Sequence, residues 1–217
     1  MKCPPPTKPV IQTRASQAKM TPRQALELLQ AGNARFVSGC MVNRDLREQV
    51  SATAGGQYPF AALLSCQDSR TSSEVLFDLN KGDAFSIRIA GNIVNEDVLG
   101  GLEFSTKLMG AKLIAVIGHT RCGAIRGAID SAELGNLTAL LGRINPAVES
   151  VLDGRRRDGN DGKLVEAVAE ANVLLVMRQI RERSPIIRDL IEEERVGLVG
   201  GMYNLATGKV KFYEKEA

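Results

Sequence analysis

The chain has no tryptophan, a single histidine, and only 4% aromatic residues in a length of 217. So few rings exclude the stacking platforms on which single-stranded nucleic acid is usually held. Net charge is small too: 28 Lys and Arg against 25 Asp and Glu leave +3, too little to argue for a nucleic-acid partner. The one dense basic run, Arg155-Arg156-Arg157, is followed at once by Asp158 and Asp161 and reads as a solvated loop. No stretch approaches the roughly 20 consecutive apolar residues of a membrane span. The first 24 residues carry Lys2, Lys8, Arg14, Lys19 and Arg23 without an acid, yet they lack the continuous apolar core of a secretory signal. Cysteine is sparse. Cys3, Cys40, Cys66 and Cys122 show no dense spacing, and a chain of this length folds without staples. The expected compartment is a reducing cytoplasm, with neither nucleic acid nor membrane as partner.

Apolar material, by contrast, is plentiful: 44% of the residues are hydrophobic and 24% charged, enough for one ordinary globular domain. Residues 1–20, with Pro4-Pro5-Pro6 and several Lys and Gln, read as an extended arm. Residues 21–217 read as a single domain whose N-terminal helices come first. Thr21 has the features of an N-cap, Pro22 of the first helical residue and Gln24 of the capping-box partner. Ala25, Leu28, Leu29 and Phe36 then mark an apolar helix face, and a second short helix is expected over 45–54.

Three continuous apolar runs of strand length follow, Phe60–Leu64, Ala84–Ile89 and Leu113–Ile117, separated by helix-like segments. Such runs suit parallel strands buried on both faces. Helices are expected over Val98–Met109, from Cys122-Gly123 to about Ala132, along the apolar positions Leu164 to Ile180, and from Pro185. Val196–Val199 reads as a fourth strand, and Thr207-Gly208 as the turn into an antiparallel strand at Val210–Tyr213. The class is α/β: a mainly parallel four-stranded sheet plus an antiparallel edge strand, flanked by helices, with an N-terminal helical arm. Ligands in open α/β sheets bind beyond the carboxyl ends of the strands.

Two polar segments fall at such ends. Cys66-Gln67-Asp68-Ser69-Arg70 follows the first run, and His119-Thr120-Arg121-Cys122-Gly123 follows the third. Catalytic Zn²⁺ is typically held by three N, S or O side chains with water in the fourth position, and Cys₂His is an attested set. The bland reading of a cysteine is a small buried hydrophobe; it is kept for Cys3 and Cys40 and set aside for Cys66 and Cys122. Asp68 and Arg70 alternate on an extended segment and can pair. Asp68 then either completes the metal's shell or accepts a hydrogen bond from bound hydroxide, with Arg70 holding it in the second role. Two other classes stay open: a thiol enzyme built on Cys122 and His119, and a purely structural metal site.

These motifs resemble the β-class carbonic anhydrases. Cys-x-Asp-x-Arg at 66–70, Gly82-Asp83-Ala84-Phe85, Arg88-x-Ala90-Gly91-Asn92 and Gly118-His119-Thr120-x-Cys122-Gly123 match in order and spacing over roughly residues 20 to 215. The resemblance implies Zn²⁺ on Cys66, His119 and Cys122, with Asp68 and Arg70 as a catalytic dyad. It also implies Gln57 reaching substrate across a dimer interface, and Phe85 lining an apolar pocket. Phe104 falls where some members carry tyrosine, and it would add to the apolar wall. The main chain near Gly123 would donate to the developing anion. The family's helical arms make homodimers and often dimers of dimers. With no tryptophan at Leu63, the regulatory pocket of the bicarbonate-inhibited branch is not expected. Within the family, Ser65–Ser73, Arg88–Asn92 and the Pro-rich arm most resemble a bacterial carbonyl sulfide hydrolase. The implied reaction is therefore attack of zinc-bound hydroxide on carbonyl sulfide (OCS) to give CO₂ and hydrogen sulfide, the alternative being reversible hydration of CO₂.

Overall fold

The computed structural model describes residues 10–154 and 156–213. Of the stretch expected to be an extended arm, residues 1–9 lie outside that description, but Arg14–Lys19 is a helix, α1. The cause is local. The Thr13 hydroxyl accepts from the Ser16 N–H while the Ser16 hydroxyl accepts from the Thr13 N–H, a capping box the composition of the arm concealed. Buried Gln17 then donates to the carbonyls of Pro59 and Met109 at 2.7 and 2.8 Å, which docks this helix on the domain.

Thr21 and Gln24 form the capping box read from the sequence, and Pro22–Ser38 (α2) runs to Gly39 in the left-handed region. Gly32 lets α2 lie against the main chain beyond it, since a Cβ there would stand 1.9 Å from the Phe77 carbonyl oxygen. Asp45 caps Leu46–Thr53 (α3) by accepting from the N–H groups of Arg47 and Glu48. Cys40 is half-buried between these helices rather than the small buried hydrophobe expected.

The alternation then begins: Ala61–Ser65 (β1), Ser73–Leu76 (α4), Ala84–Arg88 (β2), a tight turn at Ala90–Asn92, and Glu96–Glu103 (α5). The last starts before the expected Val98 because the Asn95 side chain caps it, accepting from the Val98 N–H at 2.9 Å. It widens into a π turn over Phe104–Leu108. Leu113–His119 (β3), Gly123–Ile129 (α6), Gly135–Gly142 (α7), Asn145–Leu152 (α8), Gly162–Arg183 (α9), Pro185–Glu192 (α10), Gly197–Tyr203 (β4) and Val210–Phe212 (β5) complete the order. Helices α7 and α8 were not anticipated, although Pro146 in the first turn of α8 is a start signal. In the basic run Arg156 is exposed, as a solvated loop requires, and Arg157 differs. Arg157 is half-buried, donating to Glu149 and to the carbonyl of Ala128, because it bridges α8 and the end of α6.

The sheet order is β2-β1-β3-β4-β5, parallel throughout except for antiparallel β5. Every residue of β1 and β3 is buried, as expected of strands covered on both faces. Ala62, Leu64, Ile114 and Val116 point to one face with Val168, Val173 and Met177 of α9. Ala61, Leu63, Leu113, Ala115 and Ile117 point to the other with Ala25 and Leu29 of α2 and with Phe77. Each fully buried Leu or Ile is worth about 1.5–3 kcal/mol, so these two layers hold the carboxyl ends of β1 and β3 side by side. Among the described residues, no helix is long and apolar enough to cross a membrane.

Candidate metal centre

Cys66 is the first residue after β1, His119 the last of β3, and Cys122 the N-cap of α6. All three are buried, and one donor atom from each lies within 4.8 Å of the others. The two Sγ atoms are 3.9 Å apart. That is far from the ~2.05 Å of a disulfide, and close to the ~3.8 Å between sulfurs that share one tetrahedral zinc at about 2.3 Å each.

The histidine is oriented for the same ion. Its Nδ1 lies 2.9 Å from the Thr120 carbonyl oxygen, which only accepts, so the proton is on Nδ1 and Nε2 carries a lone pair. Nε2 is buried with no hydrogen-bond partner, an expensive arrangement for a protein atom and the ordinary one for a metal ligand whose other nitrogen is fixed by a carbonyl.

The thiols share charge. The hydrogen bond from Cys122 holds the Cys66 thiol well below the usual range against the opposing effect of burial, with the N–H groups of Asp68 and Gly91 adding to it. Cys122 is pushed up, first by its bond to Cys66, then by burial and by the Cys66 charge, although the N–H groups of Ala124 and Ile125 at the start of α6 pull the other way. Two sulfurs this close share charge, and a divalent cation would displace the protons they hold. The donor set fits Zn²⁺: two sulfurs, one imidazole nitrogen and no fourth protein ligand in the cluster among the described residues.

Asp68 stands outside that cluster. Both its oxygens are taken by Arg70: Oδ1 accepts from Nε at 2.9 Å and from the main-chain N–H at 3.0 Å, and Oδ2 accepts from Nη2 at 2.7 Å. The Arg70 guanidinium holds this carboxyl well below the usual carboxylate range. Of the other expected site residues, Phe85 on β2 and Phe104 at the start of the π turn meet edge to face, with ring centroids 5.9 Å apart. Gly123 opens α6 and is exposed. Gln57 does not join them. It is exposed in the loop before β1, whereas Cys66 lies beyond that strand's other end.

Sequence reasoning assigned no role to four residues that shape the loop. The Arg88 Nε donates to the Cys66 carbonyl at 3.2 Å and its Nη2 to that of Asp68 at 2.6 Å. The Thr71 hydroxyl lies 2.9 Å from the Cys66 carbonyl oxygen and 2.8 Å from that of Asp68. The Gly91 N–H donates to Cys66 Sγ at 3.4 Å. Asn172 of α9 donates to the Gly91 carbonyl at 2.8 Å. Arg88 and Gly91 stand in a motif already singled out; Asn172 announced itself only as a lone amide among apolar helix positions.

A carbonic anhydrase family model matches residues 61–210. Carbonic anhydrase 2 of Mycobacterium tuberculosis is 33% identical over 194 residues, covering 87% of this chain and 91% of that protein. Among solved structures, the β-carbonic anhydrase CcaA superposes with a TM-score of 0.70 at 26% identity, over 88% of this chain and 94% of that one. One of the tetrameric β-carbonic anhydrases of Sordaria macrospora shares the fold, with a TM-score of 0.70 at 22% identity over 78% and 91% of the two chains. With the Cys-His-Cys cluster, the Asp68–Arg70 pair and this sheet order agreeing, the chain belongs to the β-class carbonic anhydrase family.

Proposed function

We propose that this centre catalyses the reversible hydration of CO₂ to bicarbonate. The observation that carries the reading is the unpartnered His119 Nε2 converging with two sulfurs while Arg70 keeps the Asp68 carboxylate to itself, so that a place is left for solvent. Zinc held by Cys66, His119 and Cys122 would supply a Lewis acid and lower the pKa of water beside it. Asp68, kept ionised by Arg70, accepts a hydrogen bond from the attacking oxygen and turns its lone pair toward the carbon. The N–H groups that open α6 at Gly123 donate to the developing anion. The proton released leaves to buffer, because the only imidazole is committed at both nitrogens, one to Thr120 and one to the metal.

Carbonyl sulfide, the substrate favoured by the sequence resemblance, is the second reading. The Phe85–Phe104 edge-to-face pair would serve it only from a second copy, as with Gln57, because Phe85 stands opposite Ala62 toward the amino end of the strands whereas Cys66 follows their carboxyl end. The balance is O=C=S + H₂O giving CO₂ + H₂S on the same residues. Stopped-flow CO₂ hydration and sulfide release from OCS, measured on one zinc-loaded preparation, decide between the two. Fast hydration with negligible sulfide supports the first; sulfide release with negligible hydration overturns it.

The assembly we propose is a homodimer, paired further into a dimer of dimers. The open edge of the sheet at β2 lies near Phe104 and Leu108, which are 46% and 74% exposed, apolar area that a second copy would cover. In that arrangement Gln57 serves the site of the other copy. The working compartment we propose is the cytoplasm, where two neighbouring thiols stay reduced. Sedimentation velocity of the purified chain tests the assembly, and a monomer at micromolar concentration would refute it.

A further inference from the structure

Asn172 is completely buried on α9, on the face that carries Val168, Val173 and Val176 into the core. Its Nδ2 donates to the Gly91 carbonyl at 2.8 Å, and its Oδ1 meets no donor. A carbonyl oxygen only accepts, so the amide has to turn its NH₂ toward Gly91 and leave its oxygen unsatisfied. A leucine of nearly the same shape would fill this place without stranding a polar atom. Packing therefore does not explain the asparagine.

What it holds does. Gly91 has φ +66°, a backbone conformation strained for any residue with a side chain, and as glycine it makes its contacts through its peptide groups. At one end its N–H donates to Cys66 Sγ at 3.4 Å; at the other its carbonyl is held by Asn172. We propose that Asn172 is a positioning residue for the metal centre, fixing Gly91 so that its N–H stays on the Cys66 sulfur. That bond draws charge from the sulfur and sets its direction before any metal arrives, in the way that groups behind metal ligands usually tune them.

The test uses Asn172→Leu, which keeps the branched heavy-atom skeleton and removes the donor, and Asn172→Ala, which removes it without crowding. Zinc affinity is read by competition with a chromophoric chelator. The sulfur-to-metal charge-transfer band is read on the Co²⁺-substituted protein, and melting is followed with and without metal. The expected result is a loss of about 10–100-fold in zinc affinity and a shift of the band to longer wavelength, with the metal-free Leu variant melting no lower than native. In native protein loaded with ¹¹³Cd, a scalar coupling should appear between the metal and the Gly91 amide proton through Cys66 Sγ. Affinity and band unchanged in both variants, or an equal loss of melting temperature with and without metal at native affinity, would reduce Asn172 to a core residue. Absence of the coupling would overturn the N–H···S link. The inference rests on the zinc reading of Cys66, which the native titration tests separately. A native chain that binds no zinc defeats the centre itself, whereas unaffected variants beside a zinc-binding native chain defeat only the positioning role.

Discussion

Replacing Asp83 with asparagine should stabilise the protein at neutral pH and leave it unchanged in acid. Asp83 is 4% exposed at the start of β2. Its Oδ2 accepts from the Asn80 N–H at 2.8 Å, but its Oδ1 is buried without a partner. Burial pushes this carboxyl up from 3.8 to about 6, against the opposing pull of Asn80 and Arg44. A carboxyl whose pKa is higher folded than unfolded binds more protons in the native state between those two values, so its contribution to stability falls as pH rises from about 4 through 6. At about 1.4 kcal/mol per pH unit, the gap between 3.8 and about 6 is worth about 3 kcal/mol. Asparagine can keep the bond from Asn80 and cannot ionise, and its buried NH₂ lacks a partner just as the O–H of the protonated acid does, so the two proteins match in acid. Urea unfolding of native and Asp83→Asn proteins at matched pH from 4 to 7.5 isolates the effect, because every other titrating group and the metal cancel in the difference. The variant should gain about 2–3 kcal/mol at pH 7, and the gain should vanish toward pH 4. A difference that does not change with pH, or a variant less stable at pH 7, would refute the burial argument.

Three more perturbations test the rest of the molecule. Asp78→Asn leaves the Arg35 and Arg44 guanidiniums, each 2.5 Å from that fully buried carboxylate, without their counter-charge. Because Arg35 is a third exposed, the cost should sit near the low end for a broken buried pair, about 3 kcal/mol, seen as a fall of about 6–12 °C in melting temperature. Asp68→Ala should retain zinc by elemental analysis yet lose at least about 10²-fold in turnover; loss of metal with activity would make Asp68 a ligand instead. Dipicolinate dialysis should abolish activity and added Zn²⁺ restore it, whereas a thiol enzyme using Cys122 and His119 would survive the chelator and fail only on alkylation.

The centre was legible because its ligands follow recognisable strands. The runs at 60–64 and 113–117 are too short and too apolar to be anything but covered strands, and the residues just after them had to emerge at one edge of the sheet. Caps were equally legible where the residue types were strong, as at Thr21-Pro22-Gln24 and Asp45. Residues 14–19 were hidden for the opposite reason: prolines and lysines set the composition of the stretch around them, while the capping box of Thr13 and Ser16 makes them a helix. Helix α7 has no side-chain cap, so nothing local marked its start. Bonds between remote segments carried no sequence signal at all. Asn172 and Gly91 are 81 residues apart, and only the packing of α9 on the sheet brings them together.

The claim on which the functional reading depends is that two sulfurs and one imidazole hold a zinc ion that still admits solvent. Zinc K-edge X-ray absorption of the purified protein reads this directly. The account predicts two sulfur neighbours at about 2.3 Å and two nitrogen or oxygen neighbours at about 2.0–2.2 Å, one of which is replaced when a small anion is added. A sulfur count other than two, or a shell that added anion leaves untouched, would contradict it.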